Sequence, residues 1–166
     1  MKKSHIAVLF VACMSLGLIG GALYFQIVER MLPCPLCVLQ RYAFIVTGIA
    51  CLISFGDSAL RKKISLTVAL LALLGGAGVA VHQLWVIAHP EVSCGIDPVQ
   101  TFVNNLPPAS WLPTVFEADG MCGTPYDPFL GLSLPQWSLT WAVVFFIILA
   151  MQLWRARSVA AAPAVQ

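Results

Sequence analysis

Four long apolar stretches, separated by short clusters of charged residues, divide the sequence along its length. They cover residues 6–26, 37–55, 64–87 and 136–154, and Arg41 is the single charged residue inside them. A helix that rises about 1.5 Å per residue needs roughly 20 apolar residues to cross about 30 Å of hydrocarbon. Each stretch is therefore long enough to span a membrane.

The composition excludes two broad classes of protein. Of the 166 residues, 60% are hydrophobic and only 10% are charged, whereas soluble domains carry about 25% charged residues. This balance excludes a soluble globular protein. No run of Lys and Arg is longer than three residues, so the sequence has no basic surface that could follow the phosphates of a nucleic acid.

The four stretches predict an all-α membrane protein, a four-transmembrane-helix antiparallel bundle that forms one integral-membrane domain over residues 1–166. The first stretch could instead belong to a cleavable signal peptide, since Lys2 and Lys3 precede its apolar run. We expect a retained helix, because the run continues to Phe25 and exceeds the roughly 7–15 apolar residues of a signal peptide.

Small residues recur at four-residue spacing in two of the predicted spans. They are Gly17 and Gly21 in the first span and Ala72, Gly76 and Ala80 in the third. Because small side chains let helix backbones approach closely in a membrane, both sets predict helix packing.

The distribution of basic residues predicts the orientation of the bundle. Seven of the nine Lys and Arg residues lie in the N-terminal tail, the connection between spans two and three, and the C-terminal tail. Since Lys and Arg accumulate on the cytoplasmic side, both termini are predicted to be cytoplasmic. Two loops, about 28–36 and 88–135, then face outward, and the spacing of apolar residues predicts a short helix on the membrane surface over 97–105.

Four of the six cysteines fall in these outward loops, in the compartment where disulfides form. Cys34 and Cys37 form a Cys-Pro-Leu-Cys motif where the short loop meets the second span, and Cys94 and Cys122 lie in the long loop. A redox pair, half a zinc site or a structural bridge could each explain such a motif. Zinc requires four ligands, and Cys94 and Cys122 are not a second C-x-x-C pair, so no metal site is expected.

The position of Cys34 and Cys37 favours the redox interpretation. Pro33 and Pro35 place the start of the second helix at about this motif, so both sulfurs lie near the positive end of the helix dipole, where thiolate is favoured. Arg41 lies four residues after Cys37 on the same helix face. A charge inside the membrane is functional by default, and a guanidinium can stabilise the anionic oxygens of a reduced quinone.

His82, in the third span near its outer end, is the other candidate for a quinone pocket. The alternative is a histidine that is hydrogen-bonded to a neighbouring helix or to a lipid headgroup.

These residues, taken together, resemble the disulfide bond formation protein B (DsbB) family, the quinone-linked oxidases of the bacterial envelope. The resemblance covers nearly the whole chain. It rests on the four spans, Cys34-Pro-Leu-Cys37 followed by Gln40-Arg41, the loop with Cys94, the stretch 111–116, Cys122, 129–132 and Pro135-Gln-Trp137. Where the family often has an acidic residue before the arginine, this chain has Gln40.

The resemblance implies an electron relay in the bacterial inner membrane. Cys94 would form a mixed disulfide with a periplasmic DsbA-type oxidase of thioredoxin fold, and Cys122 would exchange with Cys34. Cys37 would then pass electrons to ubiquinone or menaquinone, which Arg41 would hold. At rest the expected pairs are Cys34 with Cys37 and Cys94 with Cys122, and a Cys34–Cys122 disulfide is expected in turnover.

Two alternatives to this function remain open at the level of sequence. One is a paralogous quinone-linked thiol oxidase that serves a dedicated partner and would have the same motifs. The other is a non-catalytic membrane scaffold stapled by two disulfides. The scaffold has no electron acceptor, so substitutions at Cys37 or Arg41 would lower its stability without affecting any activity.

Overall fold

The computed structural model of the protein describes residues 3–56, 58–89, 98–122 and 128–160. Within these residues the chain forms seven helices in the following order: α1 (Lys3–Val28), α2 (Pro35–Ile53), α3 (Ala59–Ala88), α4 (Pro98–Asn104), α5 (Pro107–Trp111), α6 (Pro113–Phe116) and α7 (Leu134–Ala160). No β-strand occurs in the described part of the chain, where an isolated bridge joins Phe129 and Leu132.

Four of these helices, α1, α2, α3 and α7, are long and apolar enough to cross a membrane. Their membrane-spanning parts are Ser4–Val28, Pro35–Ile53, Ala59–Ala88 and Leu134–Arg155. The prediction of an all-α, four-helix membrane bundle is confirmed, and each predicted span overlaps one of these helices with ends shifted by a few residues.

The helix ends follow from local hydrogen bonds and from proline. Cys34 is the N-cap of α2 and Pro35 occupies its first turn, where the missing N–H of proline costs no helical hydrogen bond. At the other end of α2, the Ser54 hydroxyl donates to the Cys51 carbonyl at 2.6 Å. Ser58 caps α3 by accepting from the Arg61 backbone N–H, so a side-chain hydrogen bond marks the start of α3.

The core of the bundle lies where α2 and α3 pack on each other and on α1 and α7. Fully buried side chains from all four helices meet there, among them Val11, Cys51, Leu66, Leu73, Phe145 and Leu149. Leu71 and Leu74, on the other side of α3, are 64% and 61% exposed. Large apolar side chains that point outward are expected where the surroundings are lipid.

The two sets of small residues behave differently. A Cβ added to Gly76 would lie 2.8 Å from the Cβ of Ala43, so the predicted close packing of α3 is confirmed. Around Gly17 and Gly21 there is no neighbouring atom within 4 Å of an added Cβ. The packing predicted for this pair is wrong, because the two glycines border a cavity instead.

The described part of the long loop between α3 and α7, residues 98–122, packs on the N-terminal half of α2. The predicted short helix is present as α4, whose Val103 is fully buried against an apolar cluster that includes Val38 of α2. The Phe116 ring, at the end of α6, stacks on Tyr42 with centroids 4.6 Å apart. Helices α5 and α6 were not predicted, and each begins with proline in its first turn. These contacts hold the loop over the start of α2.

Candidate functional site

The start of α2 brings the two cysteines of the Cys-Pro-Leu-Cys motif together. Cys34 Sγ accepts a hydrogen bond from the Cys37 backbone N–H at 3.3 Å, as an N-cap side chain does. The two sulfurs lie 3.1 Å apart, and the Cys34 thiol donates to Cys37 Sγ. Since a disulfide bond is about 2.05 Å long, a small rotation of the side chains is enough to join these sulfurs.

A third cysteine, Cys122, lies against this pair. Its side chain is buried and packs with Cys34 in one apolar cluster. Hydrogen bonding with Cys122 and with Cys37, together with burial, holds the pKa of the Cys34 thiol well above its ordinary value. Cys34 therefore keeps its proton while both neighbouring sulfurs are reduced. Its contact with both sulfurs places it where it can exchange disulfide bonds with either of them.

Backbone contacts between residues 119–120 and residues 32–34 hold Cys122 in this position. The Asp119 and Gly120 N–H groups both donate to the Pro33 carbonyl, at 3.1 and 3.0 Å. A Cβ added to Gly120 would collide with the Leu32 carbonyl group. Only glycine allows the loop to approach the backbone this closely.

Helix α4 holds the other side of the same loop. Asn104 pairs with Ala118 through two hydrogen bonds: its side-chain oxygen accepts from the Ala118 N–H at 2.8 Å, and its side-chain amide donates to the Ala118 carbonyl at 3.0 Å. Gln100 also donates to the Ala118 carbonyl. The predicted surface helix thus positions the segment that leads to Cys122.

Replacing Gly120 with alanine is expected to slow formation of the Cys34–Cys122 disulfide about a hundredfold, the effect of misplacing reacting groups by about 1 Å. The rate is measured with glutathione disulfide as oxidant in a chain with Cys37→Ser and Cys94→Ser. Gly78→Ala is the control, because an added Cβ at Gly78 meets nothing within 4 Å. An unchanged rate in the Gly120→Ala chain would show that this close approach does not position Cys122.

A cavity of about 470 Å³ opens beside the sulfurs, between α1, α2 and α7. Cys34, Cys37 and Cys122 lie in its wall, together with Arg41. Most of the remaining wall is apolar, with Phe25, Phe44, Trp137 and Trp141 among the lining residues. The cavity has the size and the mainly apolar walls of a small-molecule site.

Arg41 is buried although it is charged, with 6% of its side chain exposed. Its Nη1 donates to the Val115 carbonyl at 2.8 Å, and Gln26 of α1 donates to the neighbouring Thr114 carbonyl at 2.9 Å. These two hydrogen bonds connect the α6 segment to α1 and α2, and both donor side chains line the cavity. The other guanidinium N–H groups give Arg41 further hydrogen-bonding capacity.

Sequence reasoning missed a buried pair of glutamines beside the sulfurs. The Gln83 side-chain amide donates to Cys37 Sγ at 3.1 Å and to Cys34 Sγ at 3.3 Å. Gln40 donates in turn to Gln83 Oε1 at 2.6 Å. Both glutamines line the cavity. The available signal for Gln83 was a polar residue inside a predicted span, next to the His82 that was predicted for the pocket.

The structure places one predicted site residue, His82, away from the cavity. The His82 side chain is exposed and stacks on Trp85, with ring centroids 5.9 Å apart. It does not line the cavity described above, so this geometry gives no support to its predicted contact with quinone. Cys94 lies outside the described residues.

The arrangement as a whole can move disulfide bonds. Three sulfurs lie in contact, one on a loop and two at a helix start. Thiolate attack on a disulfide needs such proximity and access, together with an ionised attacking thiol. In the described residues, no group of three or more His, Cys, Asp or Glu side chains could hold a metal ion.

The chain is similar to known proteins over almost its whole length. The profile of a family described as "Disulfide bond formation protein DsbB" matches residues 4–152. A protein of Herminiimonas arsenicoxydans named "Disulfide bond formation protein B" is 47% identical over 158 residues, which cover 95% of this chain and 100% of that protein. A protein of the same name from Ralstonia nicotianae is 46% identical over 153 residues, with 92% and 96% covered.

A protein of Pseudomonas fluorescens named "Disulfide bond formation protein B 1" is 45% identical over 152 residues, which cover 89% of this chain and 86% of that protein. Identity at this level, over nearly full length, agrees with the four-helix fold and with the cysteine cluster. The chain belongs to the DsbB family of disulfide bond formation proteins, which are membrane thiol oxidoreductases.

Proposed function

We propose that this protein re-oxidises a periplasmic dithiol oxidase of the DsbA type and passes the two electrons through its cysteines to a membrane quinone. The observation that carries the proposal is the contact of Cys34 with both Cys37 and Cys122 at the wall of one apolar cavity. A loop cysteine receives electrons from outside, and a helix cysteine faces the interior of the bundle. The family assignment supports the same chemistry.

The cavity fits a quinone in size and in polarity. Its volume of about 470 Å³ lies within the range of about 300–1,000 Å³ found for small-molecule sites. Arg41 supplies a buried cation next to Cys37, and Gln26 contributes a buried side-chain oxygen that has no partner among the described residues. When bound, a quinone accepts two electrons and two protons.

The part of the cavity that is lined by α1 suits the apolar isoprenoid tail of a quinone. Gly17 and Gly21 leave the α1 side of the cavity open, while Trp141 of α7 lines the opposite wall. An isoprenoid chain is apolar and gains nothing from polar partners, so a smooth wall of backbone and aromatic rings is sufficient to receive it.

In the proposed relay, electrons pass between the cysteines by successive thiol–disulfide exchanges. A partner thiolate attacks Cys94 of a Cys94–Cys122 disulfide and releases Cys122 as a thiolate. Cys122 then attacks Cys34 of the Cys34–Cys37 disulfide, which forms the Cys34–Cys122 bond and releases Cys37 as a thiolate. Cys37 is now a reduced sulfur at the cavity wall. The second thiol of the partner attacks the mixed disulfide, which forms the partner's own disulfide and releases Cys94 as a thiol.

The proposed location is the bacterial inner membrane, with both termini in the cytoplasm and the cysteines at the periplasmic face. The basic residues Arg61, Lys62 and Lys63 lie at the start of α3, near the end of α2 that is opposite to Cys34. Because basic residues accumulate on the cytoplasmic side, this asymmetry supports a periplasmic site.

Catalytic turnover with the partner tests the proposal. Purified protein in detergent is mixed with a reduced DsbA-type oxidase and either ubiquinone or menaquinone, and the loss of partner thiols is followed together with quinone absorbance. One quinone should be reduced for each partner dithiol oxidised. A folded protein that leaves both quinones and the partner unchanged would instead be the disulfide-stapled scaffold. A partner of another kind that is oxidised while DsbA-type proteins are not would identify a dedicated paralogue.

A further inference from the structure

The side-chain amides of Gln83 and Gln40 form a buried chain that ends on the two reactive sulfurs. Gln83 is 4% exposed and Gln40 is 5% exposed. Neither helix fold nor cavity shape requires a polar side chain at these positions, and burying an amide costs free energy unless its hydrogen bonds are satisfied. The contact of the Gln83 amide with the Cys34 and Cys37 sulfurs therefore indicates a role in the chemistry of these cysteines.

We propose that Gln83 is a catalytic residue whose amide stabilises the reduced form of the Cys34–Cys37 pair, and that Gln40 is the positioning residue that fixes its orientation. The inference rests on the proposed relay and adds to it a determinant of the redox equilibrium. The two N–H bonds of Gln83 are directed at Cys37 Sγ and Cys34 Sγ, at 3.1 and 3.3 Å.

The stabilisation differs between the two redox states of the pair. When two electrons enter the Cys34–Cys37 disulfide from a dithiol, the sulfur–sulfur bond breaks. Cys34 takes up one proton and Cys37 is left as a thiolate, while the dithiol becomes a disulfide and releases two protons, one of them to solvent. A thiolate accepts hydrogen bonds far more strongly than a disulfide sulfur does, so Gln83 favours the reduced pair.

Gln40 determines which end of the Gln83 amide faces the sulfurs. Its N–H donates to Gln83 Oε1 at 2.6 Å, which leaves the NH₂ group of Gln83 for the cysteines. The opposite orientation would place a carbonyl oxygen against an anionic sulfur. Hydrogen bonding at the carbonyl also polarises the Gln83 amide and strengthens its N–H groups as donors.

This role of Gln83 makes the Cys34–Cys37 disulfide a stronger oxidant. Stabilisation of the reduced form makes a disulfide more oxidising, and the oxidase that this pair is proposed to re-oxidise is itself strongly oxidising. The apolar surroundings, which include Leu36 and Val86, enlarge the effect because a hydrogen bond to a charge is stronger where water is excluded.

The test measures the equilibrium between the Cys34–Cys37 disulfide and glutathione, in full-length protein with Cys94→Ser and Cys122→Ser. It involves neither quinone nor partner, so its failure is distinct from a failure of the proposed relay. Gln83→Met preserves side-chain length and removes the donors. It should shift the equilibrium about tenfold or more toward the disulfide, which corresponds to about 30 mV for a two-electron couple.

Two further variants distinguish an effect on the redox equilibrium from a loss of folding. Gln40→Met should shift the equilibrium in the same direction by a smaller factor, and the double variant should match Gln83→Met alone, because Gln40 acts only through Gln83. The double variant replaces both partners by apolar groups of similar shape, a change that stability tolerates well. It therefore remains measurable if Gln83→Met alone fails to fold.

Gln152→Met is the matched control. Gln152 is a buried glutamine of α7, 6% exposed, whose side-chain oxygen has no partner among the described residues. It lies far along the bundle from Cys34, so its replacement should leave the equilibrium unchanged. The proposal is overturned if the double variant stays within about twofold of the parent chain, a difference of only about 0.4 kcal/mol, or if Gln152→Met shifts the equilibrium as much as Gln83→Met does.

Discussion

Replacing Cys37 with serine is expected to abolish quinone reduction and to trap the protein with a Cys34–Cys122 disulfide. A serine hydroxyl cannot form a disulfide or give up two electrons. Three cysteines line the cavity, and Cys37 is the one that lies inside α2, after the N-cap residue Cys34. Without a Cys34–Cys37 disulfide, the Cys34 thiol, which contacts Cys122, attacks the Cys94–Cys122 disulfide at Cys122. This forms the Cys34–Cys122 bond and releases Cys94 as a thiol, and no electrons can then pass on to quinone. Turnover with reduced partner and quinone measures the first effect, and mass spectrometry of the unreduced protein measures the second.

Cys51→Ala is the control for this variant. Cys51 lies on the same helix and is fully buried, but 14 residues along α2 it is about 21 Å from Cys37. Its replacement should lower stability slightly and leave the electron route intact. Continued quinone reduction by Cys37→Ser would mean that electrons leave the protein from a different sulfur.

Replacing Arg41 with alanine is expected to raise the quinone concentration needed for half-maximal turnover about 10- to 100-fold. This range corresponds to the loss of one hydrogen bond to a charged group, about 1.5–3 kcal/mol. The guanidinium is buried at the cavity wall, and water cannot replace it at low cost. Turnover is measured against quinone concentration at saturating reduced partner.

Arg41→Lys and Arg155→Ala provide the comparison. Lysine keeps the charge but not the planar fork of donors, so this chain should lie between wild type and Arg41→Ala. Arg155 is an exposed residue near the end of α7, and its loss should leave the quinone dependence unchanged. If Arg41→Ala instead slows formation of the Cys34–Cys122 disulfide and leaves the quinone dependence unaltered, Arg41 acts through its hydrogen bond to Val115 and not on quinone.

The sequence predicted the membrane fold well because the relevant signals are local. Length and apolar composition identify spans whatever their neighbours are, and all four are present. Proline restricts the backbone at its own position, so the start of α2 at Pro35 could also be anticipated. Helix α4 was found from the spacing of its apolar residues.

The candidate site was predicted less completely, because it depends on contacts between distant parts of the chain. The bonds from Gln83 to the sulfurs, from Arg41 to Val115 and from the 119–120 backbone to Pro33 all join residues far apart in sequence. No local pattern distinguishes Gly120, which the loop requires at a close approach, from Gly17, which borders a cavity.

His82 and Gln83 show why the sequence alone could not identify the residue that faces the cysteines. Adjacent residues on a helix with 3.6 residues per turn point about 100° apart, so one faces outward while the other faces the sulfurs. The sequence shows two polar residues near the C-terminal end of α3. Only the packing of α3 against α2 decides which of them is buried beside the cysteines.

A single-turnover reaction between the reduced protein and quinone tests the central claim most directly. Protein with all its thiols reduced and freed from reductant is mixed with excess quinone in the absence of any partner, and thiols and quinone absorbance are followed together. The relay predicts that two thiols are lost for each quinone reduced and that Cys34 and Cys37 are joined in the first product. Thiol loss without quinone reduction, or quinone reduction that persists after Cys34 and Cys37 are both replaced by serine, would contradict it.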